Sequence, residues 1–263
     1  MRHLVLSLCL TVSSTLALPA WAADSAVKTG DFHNVHIRVP DPAKAGEWYV
    51  KYMGATTGRA PQLVYYGKTL IEFVKDDSAK PSAGSVIDHI GLSYADLDAR
   101  MKEIAASGAK IQSAPRDVPG LFKLGFIEDP WGTKIEVVQD AEQLGFHHVH
   151  LTVTDPNAVL TWYHDTFGGE QTKLKGRIDA VRLGGGVWLL AAKSSGPDKP
   201  APSTGHAVYN IAWAVPSVDE AVATLRAKGL KVTVEPRSLP SVRYAFVEDA
   251  NGILIEFVQT LTQ

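Results

Sequence analysis

The sequence predicts an α+β fold in which a strand, a helix and several further strands recur four times along the chain. Two pairs of repeated segments support this prediction. Residues 32–42 read FHNVHIRVPDP and residues 146–156 read FHHVHLTVTDP. Residues 125–139 read GFIEDPWGTKIEVVQ and residues 245–259 read AFVEDANGILIEFVQ. The chain therefore has two similar halves, and each half contains two modules.

The first module shows the order of elements most clearly. An alternating apolar segment at 35–39 predicts a strand. Asp41 is a suitable N-cap, Pro42 fits the first helical turn, and Gly54 is a suitable stop. Two further strands joined by a turn at Gly67 complete the module.

The other three modules repeat this order. Asp96 is expected to start the helix of the second module, and Gly108 to end it. Asp155 precedes a proline in the third module, as Asp41 does in the first. Ser217 and Glu220 form a capping-box pattern at the helix start of the fourth module.

The spacing of the modules predicts where the domains begin and end. Polar segments rich in Pro, Ser and Gly at 76–85 and 193–205 read as linkers inside each half. The junction between the halves, 140–145, is shorter. The sequence thus predicts two domains, 31–140 and 145–260, each made of two modules.

Residues 1–22 have the pattern of a secretory signal peptide. Arg2 and His3 precede an apolar run at 4–10, and an A-x-A cleavage site ends at Ala22. We expect export to the periplasm or the medium. The single cysteine, Cys9, lies inside this segment, so the mature chain would have no disulfide, no cysteine zinc ligand and no thiol nucleophile.

Charge and hydropathy narrow the range of partners. The chain has 26 basic and 28 acidic residues, and no strong positive field is expected, so a nucleic acid is not an expected partner. After the signal segment, no apolar stretch approaches the roughly 20 residues that span a bilayer. We therefore expect a small-molecule partner and no membrane partner.

Several motifs together resemble the vicinal oxygen chelate superfamily, which includes glyoxalase I, bleomycin-resistance proteins and extradiol dioxygenases. Residues 129–136 read D-P-x-G-x-x-I-E, and residues 249–256 are a degenerate copy. The first strand of modules one and three runs into Asp-Pro, and a Trp-Tyr pair follows in the helix. The resemblance implies four βαβββ modules paired into two cup-shaped glyoxalase-like domains.

The resemblance also implies one metal ligand from the first strand and one from the last strand of each module. In the first half, the matching positions are Asn34 or His36, Glu72, His89 and Glu136. Imidazole and carboxylate groups suit Zn, Ni, Mn or Fe(II). We expect one divalent metal per active cup, and the sequence does not select among these metals.

The second half matches the pattern less completely. His148, His150 and Glu256 fall on ligand positions, but Leu190 and Asn210 stand where the first half has Glu72 and His89. Two histidines and one carboxylate are also the ligands of non-haem Fe(II) oxygenases. By strand alternation, His33 and His147 are expected to point away from the cup.

Three functions remain open from the sequence. The first is a metal-dependent lyase or isomerase of glyoxalase type that acts on vicinal oxygens, with Glu136 as general base and Glu72 as the second candidate. The second is an Fe(II)-dependent extradiol-type dioxygenase. The third is a non-catalytic binding protein of the bleomycin-resistance type.

Two further expectations concern substrate and assembly. Arg38 lies on the same strand face as His36, and it is the first candidate to bind an anionic substrate, followed by Arg182 and Arg243. Four modules in one chain already supply two cups. A monomer is therefore sufficient for the fold, and both a monomer and a homodimer are compatible with the sequence.

Overall fold

The computed structural model describes residues 25–196 and 198–261, which form four βαβββ modules. The first comprises β1 (Phe32–Val39), α1 (Pro42–Met53), β2 (Thr56–Thr57), β3 (Leu63–Tyr66) and β4 (Thr69–Lys75). The second comprises β5 (Ile87–Ser93), α2 (Leu97–Ala105), β6 (Lys110–Asp117), β7 (Lys123–Glu128) and β8 (Lys134–Gln139). The predicted signal peptide at 1–22 lies outside the described residues.

The second half repeats this order of elements. The third module comprises β9 (Gly145–Val153), α3 (Pro156–Phe167), β10 (Glu170–Leu174), β11 (Ile178–Arg182) and β12 (Trp188–Lys193). The fourth comprises β13 (Val208–Ala214), α4 (Val218–Ala227), β14 (Lys231–Ser238), β15 (Val242–Glu248) and β16 (Leu254–Thr260). The predicted α+β class and the four modules are confirmed.

Each helix begins where the sequence predicts, because a polar side chain caps its first turn. The caps are Asp41, Asp96, Asp155 and Ser217, and each accepts a hydrogen bond from the backbone N–H three residues later. Such a cap contributes about 1 kcal/mol. Helix α2 ends at Ala105, before the predicted stop at Gly108, and the Ser107 hydroxyl donates to the terminal Ile104 carbonyl at 2.6 Å.

The strands form two eight-stranded sheets, and each sheet combines one module from each half of the chain. The first has the order β14-β15-β16-β13-β1-β4-β3-β2, which joins modules one and four. The second has the order β10-β11-β12-β9-β5-β8-β7-β6, which joins modules two and three. We call the concave faces of these sheets the outer cup and the inner cup, respectively.

This pairing corrects the expectation that modules one and two share one cup. Strands β8 and β9 lie on either side of β5, about 10 Å apart, so the short junction 140–144 spans the gap easily. The longer linkers after β4 and β12 lead from one sheet to the other. They run side by side, with bridges between Lys80 and His206 and between Ser85 and Ala201.

Strand alternation separates the core from the cups. In β1, Val35 and Ile37 are fully buried in one apolar core, which also includes residues of both sheets and all four helices. The intervening residues Asn34 and His36 face the outer cup. The core therefore fixes which side chains of the central strands point into each cup.

Modules one and two meet through their helices and loops. The Trp48 indole of α1 donates to the Ser107 carbonyl after α2, and the Tyr49 hydroxyl donates to Asp129 at 2.8 Å. Asp129, the first residue of the D-P-x-G motif, also accepts the backbone N–H of Thr133. None of the helices among the described residues combines the length and the apolar character that a membrane span requires.

Candidate metal centre

Four potential ligands meet in the inner cup, and they come from three strands. They are His89 of β5, Glu136 of β8, and His148 and His150 of β9. One ligand atom of each lies within 4.8 Å of the others. Nε2 of His89 lies 3.2 Å and Nε2 of His148 lies 3.3 Å from Oε2 of Glu136. The two halves of the chain therefore contribute two donors each.

The imidazole of His89 is oriented by a carboxylate behind it. Its Nδ1 lies 2.7 Å from Oδ1 of Asp88, and the Lys134 ammonium lies 2.6 Å from the same oxygen. Burial opposes ionisation of Asp88, but His89 and Lys134 outweigh it and hold its pKa well below the usual value. An ionised Asp88 accepts the Nδ1 proton, which leaves Nε2 of His89 to face the other donors.

His148 is oriented by a longer chain of contacts through its neighbour. Nδ1 of His147 lies 2.8 Å from Nδ1 of His148, and Nε2 of His147 lies 3.3 Å from Oδ2 of Asp140. The Lys175 ammonium lies 2.9 Å from the other oxygen of Asp140. Burial, aided by His148, lowers the pKa of His147 to about 4, so its ring is neutral.

These contacts assign the tautomers. Asp140 accepts a proton from Nε2 of His147, so Nδ1 of that neutral ring is an acceptor. His148 must then donate through Nδ1, and the lone pair of its Nε2 faces Glu136. This assignment rests on the hydrogen-bond network.

Two orphaned nitrogen atoms in the inner cup fit a bound cation. Nε2 of His148 and Nδ1 of His150 are buried and have no hydrogen-bond partner among the residues that the structure describes. Burial, together with His89 and His148, holds the pKa of His150 well below its usual value, which keeps the ring neutral. Unpaired buried acceptors are costly. Three imidazoles and one carboxylate are therefore a donor set that fits a divalent transition metal.

Glu136 is ionised in this environment. Burial opposes its ionisation, but the nearby imidazoles of His148 and His89 outweigh burial and hold its pKa below the usual value. Burial opposes protonation of His89, but hydrogen bonds and charge interactions with Asp88 and Glu136 outweigh it and raise the pKa of His89. A metal would take the place of the proton that His89 shares with Glu136.

The outer cup has the same scaffold but different donors. Nε2 of His36 lies 3.4 Å from Oε2 of Glu72 and 3.3 Å from Oε2 of Glu256. The Asn210 amide donates to Glu256 at 3.2 Å, and the Asn34 amide donates to the His33 ring. Among the described residues, the outer cup contains no His/Glu group as close as that of the inner cup.

The structure therefore regroups the predicted ligands. The expectation that Glu72 joins His89 and Glu136 is wrong, because β4 lies in the first sheet and β5 and β8 lie in the second. His148 and His150 share the inner cup with His89, whereas Glu256 shares the outer cup with His36. The position of Glu72 is taken in the inner cup by the buried Leu190.

The three arginines differ in their contacts. The Arg38 guanidinium lies 3.8 Å from the ring centre of Tyr209, and its buried Nε has no hydrogen-bond partner within the described part of the chain. Arg243 forms an ion pair with Asp219 at 2.7 Å. Arg182 stacks over a tryptophan ring. Substrate binding by Arg38 stays a prediction, and it concerns the outer cup.

Sequence reasoning missed His147, because strand alternation assigns it to the face opposite His148. In the structure, β9 has an irregular register with β5, in which Gly91 lies opposite His148 and Leu92 lies opposite Phe146. The extra residue, His147, forms a bulge that turns its ring toward His148. The sequence feature that could have indicated this contact is Asp140, an acidic residue directly after β8, which is the buried partner of His147.

The chain thus consists of four βαβββ modules that form two cups. One cup holds a buried His/Glu cluster, which is a candidate metal centre. The family described as "Glyoxalase/Bleomycin resistance protein/Dioxygenase superfamily" matches residues 31–137 and 145–257, and the chain belongs to this superfamily. A search of curated protein sequences finds no match.

Solved structures show the same fold. A mutant of glyoxalase I from Zea mays gives a TM-score of 0.72 at 19% identity, over 88% of this chain and 94% of that chain. Glyoxalase I from Zea mays gives 0.68 at 19% identity, over 88% and 92%. A candidate dioxygenase from Bacillus subtilis gives 0.65 at 16% identity, over 90% and 87%.

Proposed function

We propose that the inner cup is the active site of a metal-dependent enzyme of glyoxalase type. It would catalyse lyase or isomerase chemistry on a small substrate that chelates the metal through two vicinal oxygens. The observation that supports this best is the buried group of His89, Glu136, His148 and His150, whose donors lie within 4.8 Å of one another. This set suits Zn, Ni, Mn or Fe(II).

A bound divalent metal would act as a Lewis acid that stabilises negative charge on the substrate oxygens. Asp88 and the pair His147–Asp140 orient His89 and His148, as their contacts indicate. Glu136 is the candidate general base, because it is ionised and is the only carboxylate among the four donors. It would accept a proton from the carbon next to a substrate carbonyl.

The first experiment compares one glutamate of each cup. We expect about one equivalent of a transition metal in the tag-free protein, lost in Glu136→Ala and retained in Glu256→Ala. With a 2-oxoaldehyde adduct as the substrate, exchange of the proton on the carbon next to the carbonyl should also be lost in Glu136→Ala and retained in Glu256→Ala. Equal metal content in Glu136→Ala and the unaltered protein would contradict the assignment of the inner cup.

An Fe(II)-dependent extradiol-type dioxygenase is the second candidate, supported by one specific observation. His89, His148 and Glu136 make two histidines and one carboxylate, with both imidazole Nε2 atoms near one carboxylate oxygen. Oxygen consumption by the Fe(II)-loaded protein with a catechol would favour this candidate. Turnover of a carbonyl substrate without oxygen would favour the isomerase or lyase.

A binding protein is the outcome if no metal is taken up. In that case, incubation with Zn, Ni, Mn and Fe(II) leaves the protein metal-free, and Glu136→Ala does not change ligand affinity. Calorimetry with chelating aromatic compounds would then replace the activity assays.

We also propose that the chain is exported, on the basis of the N-terminal pattern at residues 1–22. The mass of the protein recovered from the producing cells tests this proposal. A mature chain that begins near Ala23 supports it, and a retained N-terminus contradicts it.

A further inference from the structure

Gly91 leaves the space into which the His148 ring fits. In the central strands of the inner cup, Gly91 of β5 lies directly opposite His148 of β9 and beside Glu136 of β8. A Cβ atom at Gly91 would lie 2.1 Å from Cε1 and Nδ1 of His148 and 2.6 Å from Nε2. These distances are far inside van der Waals contact, so the ring and a Cβ cannot both occupy this space.

The backbone gives no other reason for glycine at this position. The φ angle of Gly91 does not lie in the left-handed region, unlike that of Gly132 or Gly145. A glycine inside a strand weakens it, and it often marks a place where another group approaches closely. Here the approaching group is the imidazole of a candidate metal ligand.

The outer cup shows what happens when the Cβ is present. Ala212 of β13 is the counterpart of Gly91, because it lies opposite Asn34 of β1 and beside Glu256 of β16. Ala212 is completely buried. Asn34, the counterpart of His148, has a shorter side chain than histidine. Glycine therefore faces the larger ligand in one cup, and alanine faces the smaller amide in the other.

We infer that Gly91 is a positioning residue, and that the pair Gly91/Ala212 decides which cup presents a histidine at this first-strand position. This inference rests on the proposed metal site. Gly91 has no side chain that could bind substrate or metal, and it acts by leaving the volume in which His148 is held between His147 and Glu136. Ala212 fills the same volume in the outer cup.

The test is Gly91→Ala, with metal affinity as the readout. The added methyl must displace the His148 ring, so we expect Zn and Co affinities to fall at least about a hundredfold, the upper range for loss of a ligand's supporting contacts. The visible spectrum of the Co-loaded protein should change, because one nitrogen donor is lost. Unaltered affinity and an unaltered spectrum in a folded Gly91→Ala protein would overturn the inference.

A double variant separates positioning from general damage to the fold. Gly91→Ala combined with His148→Asn reproduces the Ala/Asn pair of the outer cup. We expect this variant to regain the unfolding midpoint of the metal-free protein while its metal affinity stays low. A midpoint as low as that of Gly91→Ala alone would mean that the methyl group clashes with something other than His148, and it would also overturn the inference.

The outer cup offers the reciprocal test. Asn34→His together with Ala212→Gly should add metal-binding capacity beyond that of the unaltered protein, whereas Asn34→His alone should not. Equal uptake by these two variants would contradict the role of Ala212. If the unaltered protein binds no metal, the proposed function fails. The role of Gly91 is then tested by NMR of the metal-free protein, in which the imidazole ¹⁵N signals of His148 must shift in Gly91→Ala.

Discussion

The four central strands of the inner cup and those of the outer cup are equivalent and pair in the same register, yet the potential metal ligands that they carry differ. At equivalent positions the inner cup has His148 and His89 where the outer cup has Asn34 and Asn210, and both cups have a second first-strand histidine, His150 or His36. Both keep the glutamate of the last strand, Glu136 or Glu256. The scaffold therefore supplies positions, and the residue at each position determines the chemistry.

The two cups also differ in how their charges are balanced. In the outer cup, burial opposes protonation of His36, but Glu256 and Glu72 outweigh it and raise its pKa. In the inner cup, burial lowers the pKa of His148 and His150. The outer cup thus holds one ring, His36, whose protonation two carboxylates favour. The inner cup combines such a ring, His89, with two rings, His148 and His150, that favour the neutral form.

After Gly91→Ala, the strongest effect on this comparison is expected from the histidine that precedes each first-strand donor, His147 or His33. Replacing His147 by alanine removes the acceptor that fixes the tautomer of His148, and metal affinity should fall about 10- to 100-fold. His33→Ala is the matched control, because His33 contacts Asn34 in the same way in the outer cup. Calorimetric titration with Zn measures both. Equal losses in the two variants would contradict the distinction between the cups.

A smaller effect is expected from contacts that the two halves share outside the cups. Tyr49 donates to Asp129 at 2.8 Å, and Tyr163 donates to Asp249 at 3.2 Å. Each Tyr→Phe substitution leaves a buried carboxyl without one partner and should cost about 1–3 kcal/mol in the free energy of unfolding. Urea unfolding measures the cost. Metal affinity should be unchanged, and a decrease would mean that the helices contribute to the site.

The smallest effect is a pH dependence of opposite sign for His36 of the outer cup and His150 of the inner cup in the metal-free protein. The folded pKa of His36 is raised, so its contribution to stability is complete below the unfolded value and is lost as the pH rises through the folded value. The folded pKa of His150 is lowered, so the unfolded state takes up a proton first, and stability falls as the pH drops.

The corresponding variants make this contrast measurable. His36→Gln should destabilise the protein most at acidic pH, and His150→Gln should become more favourable relative to the unaltered protein as the pH falls. Urea unfolding between roughly pH 5 and pH 8 covers both titrations. Parallel pH trends in the two variants would show that the cups do not differ in this respect.

Local features were predictable from the sequence, and long-range pairing was not. Asp41 and Asp155 mark helix starts because a cap needs contacts within three residues. The candidate ligand positions Glu136 and His148 follow from the resemblance to the vicinal oxygen chelate superfamily, whose motifs are also local. The partnership of these two residues was missed, because it depends on β5 pairing with β9 across a junction that reads as a domain boundary.

Gly91 illustrates the same limit on a smaller scale. In the sequence it is an ordinary residue of a β-strand, next to the histidine segment of its own module. Its significance depends on a ring that lies on a strand of the other half. Similarly, the bulge that turns His147 toward His148 changes the direction of a side chain without any signal in the alternating pattern.

Each sheet combines a module from each half of the chain, so neither half contains the whole candidate metal centre. His89 and Glu136 precede the junction at 140–144, and His148 and His150 follow it. Cleavage there would produce two fragments, each with half of the inner donors and an unpaired central strand. The chain is therefore equivalent to a pair of subunits joined by a tether, which replaces a concentration-dependent encounter by a high effective concentration.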